Sequence, residues 1–241
     1  IDGTAQFGPM SRLMKSDEID KFKQKYGYEP TGIPTSIDML AVYVHKDNPL
    51  KSLTLQQVDA IFSKGRKGGL DRDIRTWGDL GLTGEWQAKP ISLYGRNSAS
   101  GTYGYFKEHA LFKGDYKDEV KEQAGSSSVV QAVASDKFAM GYSGIGYKTA
   151  DVRAVPLAPK VDKPAVEAVL ANAYSGSYPL SRFLYVYVNL KPGTELDPLR
   201  REFLRYVLSQ SGQADVVKDG YYPLTASMVT KALADLGMKT A

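Results

Sequence analysis

Positions 96–102 read Arg-Asn-Ser-Ala-Ser-Gly-Thr, placing a guanidinium, three hydroxyls and a glycine ahead of a segment in which Tyr105, Phe106 and Leu111 can share a helical face. A strand-to-helix turn of this composition suits an anion. The first amides of a helix have no carbonyl one turn back and carry partial positive charge. Gly101 lets an oxyanion approach the backbone closely, Ser100 and Thr102 can donate hydroxyl hydrogens, and Arg96 offers two parallel donors to a tetrahedral dianion. The same residues also make a plain helix start, with Ser100 as N-cap and Arg96 as a surface charge, and residue types alone leave both readings open.

A second cluster, Gly8-Pro9-Met10-Ser11-Arg12, precedes a helix beginning at Ser16. Taken alone it reads first as a turn with an exposed arginine, because Gly-Pro pairs mark turns whatever the function. Asp38 sits between two apolar segments, where an unpaired carboxylate is costly to bury, so it is expected to be hydrogen-bonded, to structural amides or to a protonated ligand. The run Gly141-Tyr142-Ser143-Gly144-Ile145-Gly146-Tyr147 has neither the spacing of a hydrolase nucleophile elbow nor that of a nucleotide-binding loop, and a hinge or packing role suits it better.

The elements that must position these groups alternate as in an α/β protein. An amphipathic helix runs from a cap at Ser16 through Ile19, Phe22 and Tyr26 to Gly27. Ile33 to Ile37 and Leu40 to Val44 read as apolar strands, the second continuous enough to be covered on both faces. Thr54-Leu55-Gln56-Gln57 is a capping box opening a helix through Phe62. Ser63 to Pro90 reads as a loop anchored by Trp77 and Trp86. Strands are expected at Ile91 to Tyr94, Phe138 to Tyr142, Val152 to Leu157 and Phe183 to Val188. Helices are expected at Ser128 to Ala134, Pro164 to Ala173, Pro198 to Ser209, Gln213 to Lys218 and Ser227 to Leu236. Strong apolar strands this far apart suggest a chain that leaves one lobe and later returns to it.

Composition narrows the chemistry. The 241 residues contain no cysteine, which excludes disulfides, thiolate metal sites and cysteine nucleophiles, and only His45 and His109 supply imidazoles, with no His-Glu-x-x-His spacing. A net charge of +4 comes from mixed signs. The nearest basic cluster, Lys64, Arg66, Lys67, Arg72 and Arg75, is interleaved with Asp71 and Asp73 and reads as a solvated loop, not a nucleic-acid surface. No apolar run approaches the roughly 20 residues needed to span a bilayer.

Taken in order, several segments resemble the phosphate-binding proteins of Pst-type ABC importers, within the type II periplasmic solute-binding fold. The matching pieces are Phe7 to Arg12, Ile37-Asp38 with Ala41 to Val44 and Asn48-Pro49, Leu53-Thr54 to Ile61-Phe62, and Arg96 to Thr102. Further matches are Gly141 to Tyr147, Tyr178-Pro179-Leu180 leading into Phe183 to Val188, and Gly220-Tyr221-Tyr222-Pro223-Leu224. The resemblance implies two α/β lobes joined by a double crossover hinge, with lobe I at 1–45 and 180–241, lobe II at 46–179, and a site that closes on inorganic phosphate. It carries phosphate contacts onto Arg96, Ser100, Gly101 and Thr102, with Ser98 beside them, and onto Ser11, Arg12 and Asp38 in lobe I.

Two positions depart from the family pattern. Arg12 stands where several relatives have an aspartate that accepts the proton of hydrogen phosphate, and Ser98 where some have an aspartate that orients the arginine. Rejection of sulfate then falls to Asp38. Relatives also carry an upstream strand and a Gly-Ser-rich helix start, so the resemblance implies an N-terminally incomplete form. The expected role is a monomeric periplasmic or secreted receptor, without cofactor, metal or nucleic acid, that delivers phosphate to the membrane permease of an ABC importer. Two alternatives are a related protein with an adhesion, sensing or matrix role, and a phosphoryl- or acyl-transfer enzyme using the Ser98 to Thr102 loop. The enzyme would need a base near Ser100, and His109 lies more than one helical turn away.

Overall fold

A computed structural model describes residues 1–238. In chain order it forms β1 (Gly8–Met10), α1 (Ser16–Tyr26), β2 (Thr31–His45), β3 (Leu53–Thr54) and α2 (Leu55–Phe62). There follow β4 (Ser92–Arg96), α3 (Gly101–His109), β5 (Lys121–Gln123), α4 (Ser126–Ser135) and β6 (Ala139–Gly144). The remainder is β7 (Val152–Ala154), β8 (Leu157–Ala158), α5 (Leu170–Tyr174), β9 (Ser181–Val188), α6 (Pro198–Val207), α7 (Gln210–Lys218) and α8 (Ala226–Asp235). The chain divides into two compact units, one made of Ile1–Asp38 and the stretch from Arg182 onward, the other of Met39–Ser181. It therefore passes between them twice, at 38–39 and at 181–182.

In the first unit β1 lies antiparallel to β9, with Gly8 opposite Tyr187 and Met10 opposite Tyr185. Gly8–Met10 is thus a strand and not the expected turn. Pro9 is tolerated because β1 is terminal in its sheet order, where a missing N–H costs no ladder bond. β9 borders the first part of β2, and Ile37 exchanges two backbone hydrogen bonds with Tyr222. α1 buries Phe22 and stops at Gly27, whose φ of 82° is easily reached only without a side chain. Its N-cap is Lys15 and not Ser16, which is already helical. Asp197, Ser209 and Thr225 cap α6, α7 and α8 through their side-chain oxygens.

The second unit is built on the rest of β2, which pairs antiparallel with β6 and β7, while β4 runs parallel to both β6 and β5. Leu40 to Val44 are fully buried, as their unbroken apolar run implies. Phe106 stacks on Tyr142 at 3.8 Å between ring centroids and Phe62 meets Tyr142 edge-on at 5.8 Å, contacts worth about 0.5–1.5 kcal/mol each beyond area burial. The capping box of α2 forms as read, Thr54 Oγ1 accepting from the Gln57 amide at 3.1 Å and Gln57 Oε1 accepting from the Thr54 amide at 2.9 Å. Trp77 and Trp86 do anchor the long loop: their rings meet edge-on at 5.6 Å, and Trp77 donates to the Phe138 carbonyl at 3.1 Å.

Three further expectations change. The apolar segments 33–37 and 40–44 form one long strand, since Asp38 stands between them with no Gly, Pro or Asn beside it, and one aspartate does not turn the chain. The expected strand from Val152 to Leu157 breaks at Pro156, which has no N–H to donate, and β8 pairs instead with β3. The expected helix over Pro164 to Ala173 shrinks to α5, because Val166 exchanges both of its backbone bonds with Leu157.

Candidate functional site

β4 and β5 run side by side in parallel, with Arg96 opposite Gln123, and each ends in a short turn that opens a helix. The starts of α3 and α4 consequently lie at the same end of the sheet, beyond the carboxyl ends of its parallel strands, where open α/β sheets hold ligands. The first turn is tied to its neighbour by the Asn97 amide donating to the Gln123 carbonyl at 3.1 Å, and the Ser100 amide closes it onto the Asn97 carbonyl at 3.0 Å. Ser100 has extended backbone angles and its Oγ accepts from the Thr102 amide at 3.1 Å, so the plain capping reading is correct as far as it goes. Gly101 is the first residue of α3, Thr102 is buried, and Ser98 is exposed in the turn.

Arg96 is not a free surface charge. Its Nη1 donates to Ser126 Oγ at 2.7 Å and its Nη2 to the Ala124 carbonyl at 3.2 Å, both at the start of α4. Its Nε is buried with no hydrogen-bond partner among the described residues. No carboxylate among the described residues forms an ion pair with Arg96. Its neighbours are neutral oxygens, and its positive charge is not cancelled locally. Gly95 brings this strand end against the core, since a Cβ there would fall 2.5 Å from the Tyr142 ring. Burial pushes the Tyr142 and Tyr116 phenols well above their ordinary range, and their rings stack at 5.9 Å in the core behind this strand end. Ser126 is itself buried, and its carbonyl accepts from Ser143 Oγ at 3.4 Å.

The first unit treats its candidates differently. Ser11 follows β1 in a bend. Arg12, expected as a phosphate contact, donates through both Nη atoms to Glu18, at 2.8 and 2.7 Å, and through Nη1 to the Leu13 carbonyl at 2.9 Å. That hydrogen bond holds the Glu18 carboxyl down to about 2, while the same carboxylate accepts from the Lys15 amide at 2.8 Å and caps α1. Asp38 is buried, and its Oδ2 accepts from Arg182 Nε at 3.0 Å and Nη2 at 2.7 Å. Its partner is therefore a guanidinium from the other crossover strand, which neither sequence expectation named.

Sequence reasoning missed Ser126 and Arg182. Gly125-Ser126-Ser127-Ser128 ahead of Val129, Val130 and Val133 was a readable helix start, and Arg182 a charge at the head of an apolar strand, yet neither announces its partner. His109 ends α3 with its ring 4.1 Å from that of Tyr105, roughly 13 Å along the helix from Ser100 at 1.5 Å per residue. Among the described residues no cluster of His, Cys, Asp and Glu could hold a metal ion, and no helix is long and apolar enough to cross a membrane.

Comparison with known proteins fits this architecture. The profile of the PBP superfamily domain matches residues 1–211. The phosphate-binding protein PstS of Pseudomonas aeruginosa is 60% identical over 237 residues, covering 98% of this chain and 73% of the relative. PstS of Staphylococcus saprophyticus is 29% identical over 89% of this chain and 64% of its own length. Among solved structures, a substrate-binding protein assigned to phosphate ABC transport in Clostridium perfringens, solved with bound phosphate, superposes with a TM-score of 0.74 at 26% identity, over 92% of this chain and 81% of that one. An α/β chain with two crossovers, matched by the superfamily profile over most of its length and by PstS at this identity, belongs to the PBP superfamily and, within it, to the family of PstS phosphate-binding proteins.

Proposed function

We propose that this protein binds inorganic phosphate and delivers it to the membrane permease of an ABC importer, making and breaking no covalent bond. The observation that carries this reading is Arg96: a guanidinium with neutral partners only and a buried, unpartnered Nε, at the sheet end where α3 and α4 begin. In that role Arg96 supplies the counter-charge. The Gly101 amide and the Ser100 and Thr102 hydroxyls supply hydrogen bonds to the phosphate oxygens, with Ser98 at the rim. In the first unit Ser11 is the remaining candidate contact, because Arg12 and Asp38 each have a partner of opposite charge.

The two compact units are the lobes in this reading, the chain acts as a monomer, and it works in the periplasm or outside the cell. The relatives' names and the solved neighbour's phosphate support the ligand; the importer follows from the family. Isothermal titration with phosphate, sulfate and molybdate tests the reading. We expect one phosphate bound per chain, and the sulfate and molybdate titrations read how much selectivity is left with Asp38 already paired to Arg182. A folded protein that gives no heat with phosphate removes the proposal.

A further inference from the structure

Resting on the phosphate reading above, we infer that Ser126 is a positioning residue for the anion-binding guanidinium. Arg96 and Ser126 are thirty positions apart, yet Ser126 Oγ accepts from Arg96 Nη1 at 2.7 Å, the shorter of the two contacts that orient the group. Ser126 is only 8% exposed and lies in the first turn of a ten-residue helix, with its own carbonyl held by Ser143, so the acceptor is fixed before any ligand arrives. Ser98, in the turn that follows Arg96, is exposed and does not serve as this acceptor.

The choice of acceptor matters electrostatically. A carboxylate in this place would orient the guanidinium equally well and would also neutralise it. A hydroxyl orients it and leaves its net charge for the ligand. With one hydrogen each of Nη1 and Nη2 engaged by Ser126 and Ala124, three of the five N–H donors remain, the second on each Nη and the buried Nε–H, and the guanidinium plane cannot rotate without losing both contacts. Ser126 touches no ligand in this account. It sets where the charge points and how much of it remains.

Three variants separate orientation, charge and simple packing. Ser126→Ala keeps the helix start but removes the acceptor, and phosphate affinity should fall about tenfold, the worth of one hydrogen bond to a charged group. Ser126→Thr restores the hydroxyl and should bind within about threefold of wild type. Ser126→Asp orients and neutralises Arg96, and should lose about a hundredfold. Titration calorimetry gives the affinities, and thermal unfolding without phosphate monitors the fold. In the ¹⁵N NMR spectrum of the phosphate-free protein, rotation about the Arg96 guanidinium bonds should be slow in wild type and Ser126→Thr and fast in Ser126→Ala.

A wild type that ignores phosphate overturns the functional reading. A wild type that binds, with Ser126→Ala binding equally and an unaltered Arg96 resonance, overturns only the role of Ser126. Fast guanidinium rotation in the wild type would overturn that role independently of any ligand.

Discussion

Arg12 and Arg96 each stand a few residues ahead of a helix, Arg12 in a bend and Arg96 at the end of β4, and they are wired in opposite senses. Arg12 in the first unit is clasped by both oxygens of Glu18, whose carboxylate also caps α1, so charge and helix start satisfy one another locally. Arg96 in the second unit is held by a hydroxyl and a carbonyl, neither of which cancels its charge, and its buried Nε is among the donors left unspent. A third arginine, Arg182, follows the first pattern with Asp38 in a fully buried setting. In this chain the arginine proposed to receive the anion is the one whose partners are neutral. On the phosphate reading proposed above, partner identity, not residue type, separates the structural guanidinium from the one offered to the anion.

The hardest test of that distinction is to strand a structural arginine. In Asp38→Ala, Arg182 is left buried without its carboxylate, and unfolding free energy should fall by about 3–5 kcal/mol, read as a lower urea midpoint at unchanged slope. Phosphate affinity of the folded fraction should change little. Lost affinity with retained stability would make Asp38 a ligand contact and remove it from the structural class.

Arg96→Ala should do the reverse. On the proposed reading it removes the main counter-charge and should weaken phosphate binding by about 3 kcal/mol, more than a hundredfold in Kd, while the urea midpoint of the phosphate-free protein moves little because Ser126 and Ala124 are left as neutral groups. Lys64→Ala is the matched control: Lys64 is exposed and already paired with Asp118 at 2.6 Å, so neither affinity nor stability should change. Equal losses from the two substitutions, measured by calorimetry, would mean that net charge attracts phosphate and the loop does not hold it.

How much of this could be read from the chain follows the range of the interactions. The helix at 101–109, its Ser100 cap, the Thr54 box and the buried run 40–44 were legible because each is settled by residues within a turn or a strand of one another. Capping oxygens lie two or three positions from their amides, and a run of apolar residues reports burial directly. The Arg96–Ser126 and Asp38–Arg182 contacts, separated by 30 and 144 positions, depend on which strands become neighbours, and no local pattern encodes that. The helix misread at Pro164 to Ala173 failed for the same reason: the pairing of Val166 with Leu157 overrode local spacing. Even the short-range Arg12–Glu18 clasp was missed, because the chain bends at Ser11 and Arg12 before α1 and so brings together side chains that straight spacing would separate.

The Arg12–Glu18 clasp also supplies the smallest and most discriminating test. Its partners are each about a quarter exposed, so Glu18→Gln should cost only about 1 kcal/mol near neutral pH, where the carboxylate is charged. The effect must carry a pH signature. Arg12 holds the Glu18 carboxyl at about 2 in the folded protein against an ordinary 4.5, so folding favours the deprotonated form. The resulting stability is complete above the ordinary value and is lost as pH falls from about 4.5 toward 2. Glutamine does not titrate there, so the gap between wild-type and variant unfolding midpoints should close across that window, and a gap that persists at its acidic end would show that the clasp acts through packing alone. Phosphate affinity should be the same in both proteins at neutral pH. If freeing Arg12 from its carboxylate instead raised that affinity tenfold, the first unit's arginine would be a second receiver of the anion, held in check by Glu18, and the contrast between the two turns would be one of degree.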